Sequence, residues 1–256
     1  MKLSNRVIAM SFAAILLAFS ACKSDTSTNT PNSGGESGPY DTKGSDYFPI
    51  ESNQQVSAHF RGAAKTYDLN GSLTKIDSID QDQMATTLSS IVIQGVPAYE
   101  IAGFDDYGRL SRDGETFAMK ANGVVYMTGM NGTNKSIVLP ADLSAGPWNP
   151  DPDGDPSYSA KLAAHMTSFT TYNGNTFANA IKVTASVTDS SSHFDDFYGG
   201  YKVNVINATA SFYFGKDVGP IQVDFDHVEG YDYVLRNGEV EKYERTVYSG
   251  SVARNQ

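Results

Sequence analysis

The sequence predicts a mainly β fold: an antiparallel curved sheet, half-barrel or sandwich-like, with at most one or two short helices. Three observations carry this expectation. Ile181, Val183, Ala185 and Val187 alternate with Lys182, Thr184, Ser186 and Thr188, the period of two that turns one face of a strand inward. Asn122-Gly123 and Asn237-Gly238 each stand between strand-like runs, and both residues of such a pair tolerate the positive φ of a two-residue hairpin. Continuous apolar strands alternating with helical segments, which a parallel sheet would require, do not occur.

The chain has 256 residues, and its first 21 read as an export segment. Lys2 and Arg6 come first, then the apolar run Val7–Phe19, then the small residues Ser20 and Ala21. The run is shorter than the roughly 20 residues a bilayer-spanning helix needs. Phe19-Ser20-Ala21-Cys22 resembles a bacterial lipobox, with Phe19 where Leu is usual. The resemblance implies that Cys22, the single cysteine of the chain, is acylated with palmitate-like chains and becomes the mature N-terminus. The plainer reading is an ordinary secretory signal that ends before a buried thiol. Lys23, where an Asp would retain such a protein in the inner membrane, points to the outer membrane, with the periplasmic or surface side left open.

Residues 22–45 form the acylated cysteine and a flexible tether. From Lys23 to Ser45 there is no aliphatic side chain, so the segment buries too little to offset the cost of ordering. Residues 46–252 read as one β domain. Within it Phe117–Ala121 and Val124–Thr128 flank the first hairpin signal, and Tyr231–Arg236 and Glu239–Val247 flank the second. Val203 and Val205, then Ala210, Phe212 and Phe214, then Ile221, Val223 and Phe225 supply further alternating runs. Ser159–Ser168 is the one segment with a helical pattern, Leu162 and Met166 standing four apart, and Asp77–Ser90 fits helix and strand alike.

Four stretches in order resemble a family of uncharacterised lipoproteins of Gram-negative bacterial envelopes. They are Tyr47-Phe48-Pro49-Ile50, Leu139-Pro140 with Gly146-Pro147-Trp148, Gly174-Asn175-Thr176-Phe177 with Asn179–Val183, and Tyr213–Ile221. The sequence departs from that pattern at Ser52, Asn53 and Val56, where the family has a Gly and a Trp. The resemblance implies an antiparallel half-barrel domain and no established catalytic residues. The residues themselves read as turns: Gly215 and Gly219 bracket a tight connection, and no helix follows them that could cradle a phosphate.

Composition narrows the chemistry. Removing Lys2 and Arg6 takes the formal net charge from −10 to −12, which argues against a nucleic-acid partner. One cysteine makes no intramolecular disulfide or cysteine-rich metal site. Asn149-Pro-Asp151-Pro-Asp153-Gly154-Asp155 offers hard oxygen ligands at alternating positions beside a glycine, so Asp151, Asp153 and Asp155 are a calcium candidate. The competing reading is a stiff, solvated Pro/Asp turn. Asp224 and Asp226 fall on one face of a strand and His227 on the other, which splits an apparent His–acid cluster. No GxSxG, GxGxxG, P-loop or HExxH pattern occurs, and the expectation is a protein without catalytic residues. The expected partners are the membrane, through acyl chains, and an envelope protein or an apolar ligand on the half-barrel face.

Overall fold

The computed structural model describes residues 42–51, 53–68, 70–104, 110–111, 117–129, 132, 135–150, 158–195, 200–235 and 237–255. Among these residues twelve strands, all antiparallel, form one sheet: β1 (Gln55–Tyr67), β2 (Leu73–Ile93), β3 (Val96–Phe104), β4 (Leu110–Ser111), β5 (Phe117–Ala121), β6 (Val124–Thr128), β7 (Ser136–Leu139), β8 (Ser159–Thr170), β9 (Thr176–Asp195), β10 (Gly200–Gly215), β11 (Gly219–Leu235) and β12 (Val240–Arg254). Their order in space is β7-β6-β5-β3-β2-β1-β12-β11-β10-β9-β8, with β4 beside β3. The predicted fold class is the observed one: a large antiparallel sheet, not closed into a barrel, with no helix of seven residues or more among the described residues.

Strand β2 turns this sheet over on itself. Its first part, Leu73–Thr86, pairs with β1, and its second part, Ala85–Ile93, pairs with β3. The register breaks between Thr87 and Ser90, and such breaks bend a strand. The bend is fastened from outside. Thr86 and Thr87 are buried, and their hydroxyls donate to the carbonyls of Gln54 and Glu51. The backbone NH of Gln54 donates in turn to the Thr87 hydroxyl, 3.0 Å away.

The fold-over lets both arms share one core. Ile101, Ala118, Val125 and Leu139 from the β3–β7 arm meet Ala160, Ile181, Val183 and Phe214 from the β8–β10 arm, with Tyr47 and Phe48 between them. The rings of Phe48 and Phe214 lie 6.3 Å apart. The two edge strands are joined through a connecting segment rather than to each other. Trp148 exchanges two backbone hydrogen bonds with Ala160 of β8, while Pro150 accepts from Ile137 NH of β7 at 2.7 Å. The four stretches behind the family resemblance thus supply much of this core and its seam, which is a packing role.

Three sequence expectations change. Ser159–Ser168 is strand β8, not a helix. A spacing of four fits a helical turn and a double pleat alike, and hydrogen bonding to β9 decides for the strand. Asp77–Ser90, ambiguous by pattern, is the middle of β2. The last residues assigned to the tether belong to the fold: Gly44 is buried and opens a 3-10 turn, Gly44–Tyr47, and Leu143 NH donates to the Thr42 carbonyl. Both hairpin signals are real turns. Asn122 (φ 53°) and Gly123 (φ 80°) join β5 to β6, and Gly238 (φ 84°) lies between β11 and β12.

Candidate functional site

Four neighbouring strands expose a polar lattice on the face away from the core. Register alone builds it. One row across β2, β1, β12 and β11 reads Asp80, Arg61, Ser251, Asp224; the next reads Ser78, Ala63, Ser249, Asp226. Small side chains in the two central strands leave a groove of about 580 Å³. Ala63, Ser249 and Ser251 form its floor, Ser78 and Asp80 one wall, and Asp224 and Asp226 the other.

A third row, Asp82, His59, Ala253, Gln222, borders one end of the groove. His59 sits between two carboxylates: Nε2 lies 2.7 Å from Asp80 Oδ1, and Nδ1 lies 3.0 Å from Asp82 Oδ1. Asn255 also donates to Asp82 Oδ1, at 3.0 Å. The hydrogen bond to Asp82 is the largest influence on His59 and raises its pKa above the usual 6.5. Asp82 is held below its usual 3.8, first by Asn255 and then by His59. Asp80 and Asp82 share a face because they stand two apart on β2, and His59 meets them because β1 pairs with β2 in that register.

Tyr172 covers this end. It lies in the β8–β9 turn, whose Gly174 has φ 92°, and the turn folds over β11, β12 and β1. The Tyr172 hydroxyl donates to the His59 carbonyl at 2.6 Å, and its backbone NH donates to Gln222 Oε1 at 2.8 Å. Burial is the main reason that its hydroxyl pKa is pushed up to about 12. The Arg61 guanidinium lies over its ring, 3.8 Å from the centroid, a cation–π arrangement. Gln222 passes the contact on, donating to Asp224 Oδ1 at 2.8 Å, so Tyr172, Gln222 and the acidic wall form one chain of hydrogen bonds.

This arrangement suits recognition of hydroxyl or amine groups by carboxylates and serine hydroxyls beside an aromatic edge. Proton-relay chemistry fits it poorly. A relay histidine needs one nitrogen for an orienting acid and one for the nucleophile, and both nitrogens of His59 face carboxylates.

The sequence-predicted residues fare unequally. Asp224 and Asp226 stand on the groove face and His227 is buried on the other, as alternation predicts. Gln222, on the same strand face as Asp224, is buried because the Tyr172 turn lies over it. Asp151, Asp153 and Asp155 lie outside the described residues, as does Cys22. The described residues that precede that stretch are the seam segment Trp148–Pro150. Among the described residues no group of three metal-ligating side chains is set to hold an ion, and no helix is long and apolar enough to cross a membrane. Sequence reasoning missed His59, Arg61, Asp80, Asp82 and Tyr172. The available signal was the pair of polar i, i+2 repeats, His59/Arg61 and Asp80/Asp82, on two adjacent strands. Compared with known proteins, the chain matches no family model and no curated sequence.

Proposed function

We propose that this chain is a lipid-anchored lipoprotein of a bacterial outer membrane whose β sheet is a non-catalytic binding or structural domain. The observation that carries the reading is the lone thiol: Cys22 directly follows an apolar run and two small residues, and a tether without aliphatic side chains follows it. Two acyl chains, at about 0.8 kcal/mol per buried methylene, hold a protein at a bilayer where one chain does so only weakly. The binding half of the reading rests on the groove beside His59, Arg61 and Tyr172, whose carboxylates and hydroxyls suit a polar partner.

A carrier for lipid-like ligands is the rival reading. It would use the inner face of the sheet, where Phe60 and Phe225 stack at 6.0 Å and stay half-buried. The filled core around Phe48, Ile181 and Phe214 counts against it, because no apolar ligand fits where those side chains are. The anchoring test is Cys22→Ser. In a bacterial host fed labelled palmitate, the variant is expected to lose the label and to leave the membrane fraction or stay unprocessed. Unchanged labelling and retention would sink the reading.

A further inference from the structure

The β2–β3 hairpin runs on past the last residue of β2 that pairs with β1, Thr86, and exposes aliphatic side chains on both of its faces. Val92 is 73% exposed and Ile91 37%. Neighbouring residues of a strand point to opposite sides, so the exposure belongs to the tip as a whole, not to one face left uncovered. The tip is fastened to the arm. Gln94 (φ 51°) and Gly95 (φ 80°) form its turn, Ile93 beneath it is buried with Phe117 and Met119, and Lys135 Nζ donates to Gln94 Oε1 at 2.6 Å.

The place where the chain enters the fold lies on the same rim. Val96, next to the tip, runs beside the end of β5, because Ala98 pairs with Met119. The β5–β6 turn follows, and a Cβ added at Gly123 there would come within 3.3 Å of the Ala141 Cβ, so Ala141 lies beside this turn. Leu143 NH, just beyond, donates to the Thr42 carbonyl, and Lys120 Nζ donates to Ser45 O. The tip, the β5–β6 turn and Thr42 therefore line one side of the arm. Residues 23–41 connect that side to Cys22, and an unstructured stretch of that length would span roughly 25 Å.

We propose that this hairpin tip is a second, non-covalent contact with the lipid surface, with Ile91 and Val92 entering the headgroup layer and Lys135 beside them at the interface. The proposal rests on the anchoring reading. Two aliphatic side chains would hold a free protein poorly, but a tether that keeps the tip within tens of ångströms of the bilayer turns a weak contact into an intramolecular one. The contact fixes which side of the domain faces the lipid and leaves the groove of Asp80, Asp224 and Asp226, on a different part of the sheet, accessible to a partner.

The test uses the acylated full-length chain. Because Cys22 is the chain's single cysteine and its thiol is consumed by the lipid, Val92→Cys supplies one site for an environment-sensitive fluorophore. A second protein carries the label at Ile76→Cys, an exposed position of β2 far from the tip. Each is reconstituted on vesicles of phosphatidylethanolamine and phosphatidylglycerol with and without a doxyl-lipid quencher. The expected result is blue-shifted, lipid-quenchable emission at position 92 and neither effect at position 76, with the shift at 92 lost when Ile91→Ser is added. Flotation with the vesicles but an unshifted label at 92, or equal shifts at both positions, overturns the membrane contact and leaves the anchor standing. A chain that does not float with the vesicles overturns both.

Discussion

His59 lies between Asp80 and Asp82, which favour its protonated form, and this fixes the sign of its pH dependence. A raised histidine pKa means that its contribution to stability is complete below the unfolded value near 6.5 and fades as pH rises through the higher folded value. The lowered Asp82 contributes above 3.8 and loses its share as pH falls through the lower folded value. Both contributions are therefore present together between those two figures. The melting temperature of the wild-type protein should exceed that of His59→Gln by most at about pH 5, and the difference should shrink steadily toward about pH 9. A gap that grew with pH would refute the charged pairing. The side chain is partly exposed, so the effect is small and falls with added salt. This site was barely legible in the sequence. Asp224, Asp226 and His227 could be sorted by alternation because they share a strand, whereas Asp82 lies 23 residues from His59 and becomes its neighbour only through a register that no pattern in the sequence specifies.

At the level of strands, one close approach is made by a glycine pair. Gly62 of β1 and Gly250 of β12 are direct partners, and the ring of Phe225, the partner of Gly250 on β11, lies over it and stacks on Phe60. A Cβ at Gly250 would meet the Arg61 carbonyl oxygen and the Phe225 ring tip, each at 2.8 Å. The two bare backbones let the strands approach closely, and the rings cover the gap that the missing side chains leave. Gly250→Ala should destabilise by about 1–3 kcal/mol, the usual penalty of overpacking, because backbone and not only a flexible side chain must move. Chemical denaturation that left Gly250→Ala equal to wild type would disprove the close approach. Hairpins and alternating strands were readable because their chemistry is local: Asn122-Gly123 needs positive φ, and Ile181 and Val183 are buried where alternation puts them. Strand β8 was not readable, since Leu162 and Met166 satisfy two periods and the deciding hydrogen bonds come from β9.

For the molecule as a whole, the sheet holds because its two ends in sequence are neighbours in space. β1 lies between β2 and β12, with Ala58 opposite Arg254, and without β12 the strands β1–β7 and β8–β11 would share no ladder. Removal of residues 240–255 should therefore abolish the cooperative thermal transition instead of merely lowering it; a truncated chain that still melted sharply would show that the two arms stand alone. Fold class was legible at this scale but the fold-over was not, because the bend at Thr86–Thr87 depends on Gln54 and Glu51 arriving from outside the strand. The β1–β12 pairing also bears on timing. Contacts between distant parts of a chain form slowly, since the intervening loop must close before they contribute. Here the closing strand, β12, follows the other eleven along the chain, so the sheet cannot be completed until Val240–Arg254 is free to pair with β1. For the exported lipoprotein proposed above, such late closure favours passage across a membrane as an unfolded chain, with the sheet completed only afterwards.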